Sequence, residues 1–345
     1  GLLEPFLRLP HQEATRLYAQ IGDASFPVAD FRHLPTRCRF VAFMPQWDFL
    51  DFLAGQAARY PAFRLRLQAE ATGLLEERGR VAGVRARTPA GPLEVRADLV
   101  VGADGRHSVV RQRAGLAVRD LGAPMDVLWF RLPREPGDPD QPMGRFGPGQ
   151  LLAMLNRGEY WQCGYVIAKG SLERIRRRGL PAFREAVAGL APFARERVGG
   201  LRGWDEVKPL TVRVDRLARW HRPGLLCLGD AAHAMSPVGG VGINLAVQDA
   251  VAAANILAGP LLEGRLAADH LRRVQRRREP PTRVTQRLQL LVQERVIARV
   301  LGGTGELSPP LALRLLARFP VLQRLPARLI GIGVRPEHVT SSAAG

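Results

Sequence analysis

The chain has 345 residues, of which 46% are hydrophobic and 6% aromatic, and a formal charge of +18. That length accommodates two domains or one large domain with an insertion, and the composition suits a soluble globular protein. Only two of the 50 basic residues, Lys169 and Lys208, are lysine; the arginines are scattered with no aromatic-interleaved basic motif, so nucleic acid is not an expected partner. Cys38, Cys163 and Cys227 lie far apart without metal-ligand spacing. They read as reduced core thiols of a cytoplasmic protein, with no metal site. No run approaches the roughly eighteen uncharged apolar residues of a spanning helix, and no charged-then-apolar signal segment is found.

In chain order, residues 1–9 read as the end of a helix. Residues 16–20 and 26–31 are β-prone around Gly22-Asp23, which predicts a hairpin. Residues 41–44 are strand-like; after Pro45 the pattern turns helical, with Gln46 at its start and Phe49, Leu50, Leu53 and Ala57 on one face. Short strands over 63–69, 73–77, 81–87 and 93–96 predict a β-meander. The apolar run 98–103 then feeds Asp104-Gly105-Arg106-His107-Ser108 and a helix through Arg111.

Between residues 125 and about 219 the chain alternates strands (127–132, 150–155, 160–168), helices (172–178, 181–198) and a β-prone stretch at 210–214. Its Trp129, Tyr160, Trp161 and Tyr165 fit a core beneath the sheet.

The most informative stretch is 224–258. Residues 224–228 have the length of a buried strand, and Gly229-Asp230 places a carboxylate just past its C-terminal end, where open α/β sheets bind ligands. Pro237, Gly239, Gly240 and Gly242 then let backbone approach a ligand without Cβ interference. Ile243, Ala246, Val247, Ala250, Val251, Ala254 and Leu257 recur at helical spacing, so a helix starts near Gly242. An acid beside a helix N-terminus suits the hydroxyls and the anionic group of a nucleotide-like cofactor. His233, between them, is a weak candidate for a general base; the alternative is a histidine that ties the loop to the backbone.

After this helix, residues 272–278 (RRVQRRR) precede Glu279-Pro280-Pro281, a helix is predicted over 284–301, and 311–318 and 322–332 are short amphipathic segments. These helices either cap the domain with solvated arginines or form a patch for an anionic lipid surface or a second copy of the chain.

The stretch 224–258 resembles the GD motif of the FAD-dependent aromatic-ring hydroxylases of the para-hydroxybenzoate hydroxylase type, and Asp104-Gly105 with Ser108 and Arg111 resembles their DG motif. The resemblance implies an α/β fold with a Rossmann-type FAD-binding domain, an inserted β-sheet substrate domain and C-terminal helices. It divides the chain into a discontinuous FAD domain (1–124, with a small β segment about 14–31, and 221–265), a substrate sheet (125–220) and a helical segment (266–345). The cofactor-binding residues it implies are Gln46, Asp104, Gly105, Arg106, Gly229, Asp230, Pro237, Gly240, Gly242, Ile243 and Asn244, with Arg111 as an electrostatic support. Gln46 also reads as a plain surface residue of a first helical turn. No G-x-G-x-x-G opens a βαβ unit, so the family's first such unit is expected to be missing from this polypeptide.

The implied chemistry is hydroxylation of an aromatic or other apolar small molecule by O₂ through a flavin C4a-hydroperoxide, with FAD as cofactor and NADH or NADPH as reductant. A reductase or dehydrogenase of the same fold and a non-catalytic flavin-fold protein are the alternatives. The Trp-x-Trp-x-Ile motif of the halogenase branch is absent.

Overall fold

The structure, a computed structural model, describes residues 1–303 and 308–340. Residues 304–307 and 341–345 of the expected C-terminal segment lie outside the described residues. Among the described residues, two compact units divide the chain: those within 1–65, 124–212 and 291–332 form one, and those within 66–123, 213–290 and 333–340 form the other.

The first unit is built on a seven-stranded sheet in the order Lys208–Leu210, Met125–Pro133, Tyr160–Ala168, Gln150–Asn156, Met143–Gly147, Arg16–Ile21, Ala24–Asp30. Neighbours are antiparallel except Met143–Gly147 and Arg16–Ile21, which run parallel. The period-2 alternation of Leu128, Phe130 and Leu132 buries one face of the sheet. Phe130 and Tyr165 meet Phe183 of the helix Gly179–Leu190 edge-on at 5.5 and 5.3 Å. Trp161 and Tyr165 belong to this core. Trp129 lies on the opposite face, its ring over Gly164, where an added Cβ would come within 3.0 Å of it.

Asp138 anchors one edge of this core. It accepts bonds from Trp161 Nε1 at 2.9 Å and from both terminal nitrogens of Arg197 at 2.6 and 2.9 Å. Burial pushes its carboxyl up, but these donors and the Glu135 N–H outweigh burial and hold it at about 2. A depressed carboxyl contributes stability above its ordinary range and loses it as pH falls toward the native value, here on the order of 2 kcal/mol. Asp138→Asn is therefore expected to lower the melting temperature at neutral pH and to flatten its fall between about pH 4 and pH 2. Thermal melts across that range check this.

The expected hairpin is present as Arg16–Ile21 and Ala24–Asp30. The resemblance groups it with the cofactor domain, whereas its parallel ladder to Met143–Gly147 puts residues 1–65 in the unit of the large sheet. Within the helix Gln46–Ala57, Phe52 rather than Leu50 turns inward; Leu50 is exposed. The strand expected over 210–214 forms instead at Lys208–Leu210, where it pairs with Val127 to Trp129.

The second unit contains the meander Glu70–Glu77, Arg80–Thr88 and Gly91–Arg96, and the sheet His221–Arg222, Leu225–Cys227 and Val100–Gly102. A two-stranded pair, Asp215–Leu217 with Val118–Asp120, and the helices Val109–Arg113 and Gly242–Leu262 complete it, with the long helix Ala268–Val292 up to Leu290. Leu217, Trp220, Leu225, Leu226, Cys227 and Val274 form its core. Residues 63–69 are not a strand: β-prone side chains without a partner edge stay irregular, and Leu67 is 78% exposed. The long helix runs through Pro280 and Pro281 rather than starting after them, with Arg278, Pro281 and Thr282 buried in its middle.

The helical stretch Val238–Leu262 is long and apolar enough to cross a membrane, with a mean hydropathy of 1.5, contrary to the expectation that no such run exists. Its alanines, valines and leucines outweigh Asn244, Gln248 and Asp249. Asp249 is fully buried in ion pairs and Ala253 and Leu257 join the second unit's core, so one side of this helix is anchored there. The sequence periodicity located the helix but not its inward side. Leu245, Asp249, Ala252, Ala253 and Leu257 are buried, whereas Ile243, Val247, Ala250 and Ala254 are exposed.

Candidate functional site

Val100–Gly102 and Leu225–Cys227 are parallel neighbours, with Val100 opposite Leu225 and Gly102 opposite Cys227. Their carboxyl ends therefore deliver the turns Asp104-Gly105 and Gly229-Asp230 side by side at one edge of the sheet, the place where open α/β sheets bind ligands. Arg106 reaches across, its Nη2 3.6 Å from Asp230 Oδ2, and the two side chains are 30% and 32% exposed. Burial raises the Asp230 carboxyl above its ordinary range, with Arg106 and then His233 acting against that rise.

Asp104 is committed to the turn itself. Ser108 Oγ donates to one carboxylate oxygen and the Val110 N–H to the other, at 3.0 Å, while Ser108 Oγ accepts the Arg111 N–H at 2.9 Å. Both oxygens thus serve the start of the short helix Val109–Arg113. Arg111 is buried and paired with Asp215 at 3.2 and 3.3 Å, and it donates to the carbonyls of Arg106 and Ala231. One guanidinium thereby ties the first turn to the second.

Gly229 has φ +55°, and an added Cβ would sit 2.9 Å from Ala246 Cβ, so the turn packs directly on the helix Gly242–Leu262. The chain then passes Pro237 into Gly239 and Gly240, both left-handed at φ 80° and 64°; a Cβ on Gly240 would meet nothing within 4 Å. The helix starts without a side-chain cap, with Gly242 half-buried and Ile243 and Asn244 exposed. Its first N–H groups are therefore available to an external acceptor, and the helix dipole favours an anionic one. A carboxylate one-third open, a glycine turn beside free space and an uncapped 21-residue helix suit the hydroxylated chain and the electron-rich ring edge of a flavin. The residues fit FAD.

His233 does not face this opening. It is buried, with Nε2 2.6 Å from Asp249 Oδ2 and its ring 4.9 Å from that of Trp220, so the general-base reading is withdrawn in favour of an anchoring one. Asp249 also accepts the Gly229 N–H at 3.1 Å and Arg278 Nε at 3.0 Å; burial pushes its carboxyl up, but His233 and Arg278 together hold it below its ordinary range. From the long helix, Gln289 accepts the Ser236 N–H and donates to the carbonyls of Ser236 and Val238, at 2.8 to 3.2 Å. Gln286 donates to the carbonyls of Asp215 and Ala234.

Sequence reasoning missed Asp249, Arg278, Gln286 and Gln289. The available signal was a single carboxylate in an otherwise apolar helix and a glutamine pair three residues apart in a basic one. Gln46 lies in the other unit, exposed at the first position of the helix Gln46–Ala57. There Arg157 donates to the Met44 carbonyl at 2.7 Å and fixes the entry to that helix.

Fold and site define a flavin-binding oxidoreductase. The sequence model of the FAD binding domain matches residues 1–288, and the chain belongs to that family, with FAD as its cofactor. It is 33% identical over 305 residues to 6-methylpretetramide 4-monooxygenase of Streptomyces rimosus, an alignment covering 87% of this chain and 72% of that protein. Over 191 residues it is 31% identical to 3-demethoxyubiquinol 3-hydroxylase of Escherichia coli K12, covering 53% of this chain and 47% of that one, so it spans about half the length of that relative. The crystal structure of PqsL, a probable FAD-dependent monooxygenase from Pseudomonas aeruginosa, has the same fold, with a TM-score of 0.73 at 20% identity over 88% of this chain and 84% of that one. The chain is thus an oxidoreductase of the FAD-dependent monooxygenase class.

Proposed function

We propose that the protein hydroxylates a phenolic ring of a fused-ring or quinol-type small molecule. One atom of O₂ enters the ring, the other leaves as water, and NADH or NADPH supplies the two electrons. The observation that carries this reading is the pair of acid-glycine turns at the carboxyl ends of a parallel strand pair, the second of them packed on a helix that starts without a side-chain cap. The substrate class rests on relatives whose names specify a pretetramide and a demethoxyubiquinol.

In this reading Asp230 would accept hydrogen bonds from the ribityl hydroxyls, and the N–H groups of Gly242, Ile243 and Asn244 would serve the ring edge that becomes negative on reduction, while Gly240, whose own N–H is held by the Pro237 carbonyl at 3.0 Å, gives close backbone approach. Pro237 packs beside the ring. Asp104, Gly105 and Arg106 border the pyrophosphate, and Gln46 contacts the linking region. FAD, when bound, supplies the redox chemistry by taking a hydride from the nicotinamide and passing electrons to oxygen. The chain contributes position, a dry site and fixed dipoles. Of the two partners the sequence allows for the basic C-terminal helices, we infer a membrane surface, on the apolar side chains those helices leave exposed.

The purified chain is expected to retain FAD after mixing and desalting, with an oxidised-flavin absorption spectrum. It is then expected to consume NAD(P)H faster with a polycyclic phenol or quinol present, giving a product one oxygen atom heavier. Substrate-dependent NAD(P)H loss without oxygen incorporation would replace hydroxylation with reduction. A chain that retains no flavin would overturn the assignment of the site.

A further inference from the structure

Two helices of the first unit, Leu311–Arg318 and Arg324–Gly331, are joined by the short turn Pro320–Gln323. Their inner sides cover the hairpin strand Ala24–Asp30, and Ala327 joins Ala29, Phe31 and Leu34 in a small core. An outer side of a surface helix is ordinarily charged. Here it is apolar: Leu311, Val321 and Leu325 are 71%, 66% and 66% exposed, and Leu315, Phe319 and Leu322 are also exposed. The only charged side chains interspersed over 311–332 are Arg314, Arg318, Arg324 and Arg328, without a carboxylate. Exposed leucines ringed by arginine on short amphipathic helices are the composition of a surface that lies on an anionic bilayer.

Beside this face opens a cleft of about 310 Å³, lined by Arg16, Tyr18, Asp30, Arg32, Val321 and Arg324 among others. Asp30 already holds two of these cations: Arg32 Nη2 lies 2.7 Å and Arg16 Nε 3.4 Å from its Oδ2. Arg324 adds a third guanidinium to the lining, against one carboxylate already held by two, so the surplus is positive. Guanidinium forks match phosphate oxygens bidentately. A second copy of the chain is the poorer occupant, because an isologous contact would bring the same arginines together with only the already paired Asp30 to offset them.

We propose that this cleft binds the phosphate of one anionic phospholipid headgroup while Leu311, Leu315, Phe319, Val321, Leu322 and Leu325 enter the acyl boundary. This rests on the membrane reading of the C-terminal helices and adds to it a stereospecific anion site. Its functional consequence is to seat the enzyme where an apolar substrate dissolves.

The test uses the full chain loaded with FAD and cosedimentation with vesicles. Binding to phosphatidylcholine containing phosphatidylglycerol is expected to exceed binding to phosphatidylcholine alone by about 10²-fold and to weaken with salt. Leu325→Asp is expected to lose vesicle binding while the flavin spectrum and the thermal melt stay unchanged. Arg324→Glu, which lines the cleft, is expected to lose at least about tenfold more affinity than Arg314→Glu, which makes the same charge change on the helix Leu311–Arg318. Equal losses would overturn the cleft and leave the membrane reading standing, whereas no vesicle binding by the unaltered chain would overturn both. Glycerol phosphate that binds without vesicles and leaves vesicle binding undisturbed would assign the cleft to a free phosphate ester. Concentration-dependent dimers abolished by Leu325→Asp, with no vesicle binding, would assign the face to a second copy.

Discussion

Asp249→Ala is expected to cause the largest loss of stability of any single substitution near the site, and to abolish FAD binding with it. Asp249 has no exposed surface, and its carboxylate accepts from His233 Nε2, the Gly229 N–H and Arg278 Nε. Removing it leaves the fully buried Arg278 with Glu337 as its remaining ion-pair partner, at 3.2 Å. Breaking a buried pair from one side costs about 3–5 kcal/mol, because the remaining charge is stranded in low dielectric. For a unit of this size that is a fall in melting temperature on the order of 10 °C. The same deletion frees the Gly229 N–H, so the turn that aims Asp230 loses its tie to the helix Gly242–Leu262. Asp249→Asn separates the two effects: the amide oxygen still accepts the Gly229 N–H, so FAD affinity should survive better than thermal stability. Melting curves and FAD titrations of both variants check this, and an alanine variant that melts like the unaltered protein would remove Asp249 from its anchoring role.

The site was legible in sequence where the signal is local. An acid next to a glycine at a strand end, and glycines ahead of a helix, are set by backbone geometry that a few adjacent residues determine. Asp104, Gly105, Gly229, Asp230, Gly240 and Gly242 were all readable that way, and the parallel pair Val100–Gly102 and Leu225–Cys227 brings both turns to one edge. What was not legible depends on partners far along the chain. The hairpin Arg16–Ile21 and Ala24–Asp30 carries no mark of its parallel ladder to Met143–Gly147, so its unit could not be read. Residues 63–69 have β propensity but no edge to join, and propensity does not supply one. The inward side of Gly242–Leu262 was not legible because that helix is apolar nearly all round. Its buried side is the one carrying the carboxylate, which only Arg278 and His233 make tolerable there. Gln286 and Gln289 look like solvated residues of a basic helix until the loop carbonyls that they satisfy are placed against them.

Asp230→Asn is expected to split stability from function in the opposite direction. Burial raises the Asp230 carboxyl above its unfolded value, so the native chain holds that proton more tightly than the unfolded chain does. Stability therefore falls as pH rises from the ordinary carboxylate range through the raised value, and at neutral pH the ionised group is a net cost to the fold. The contact with Arg106 returns little of this, because at 3.6 Å and about a third exposed it is screened by solvent. An asparagine there removes the cost, so the flavin-free variant should melt at the same temperature as the unaltered protein or higher at neutral pH. Its FAD affinity should fall by about 10–100-fold, since hydrogen bonds to a charged acceptor contribute roughly 1.5–3 kcal/mol. Affinity in the unaltered protein should also weaken on acidification through the raised carboxyl value, while that of the variant stays flat. Retained affinity together with a lowered melting temperature would show Asp230 to be a structural acid. The pairing expected here, a stability gain with a binding loss, identifies a carboxylate kept in an unfavourable position because the ligand requires its charge.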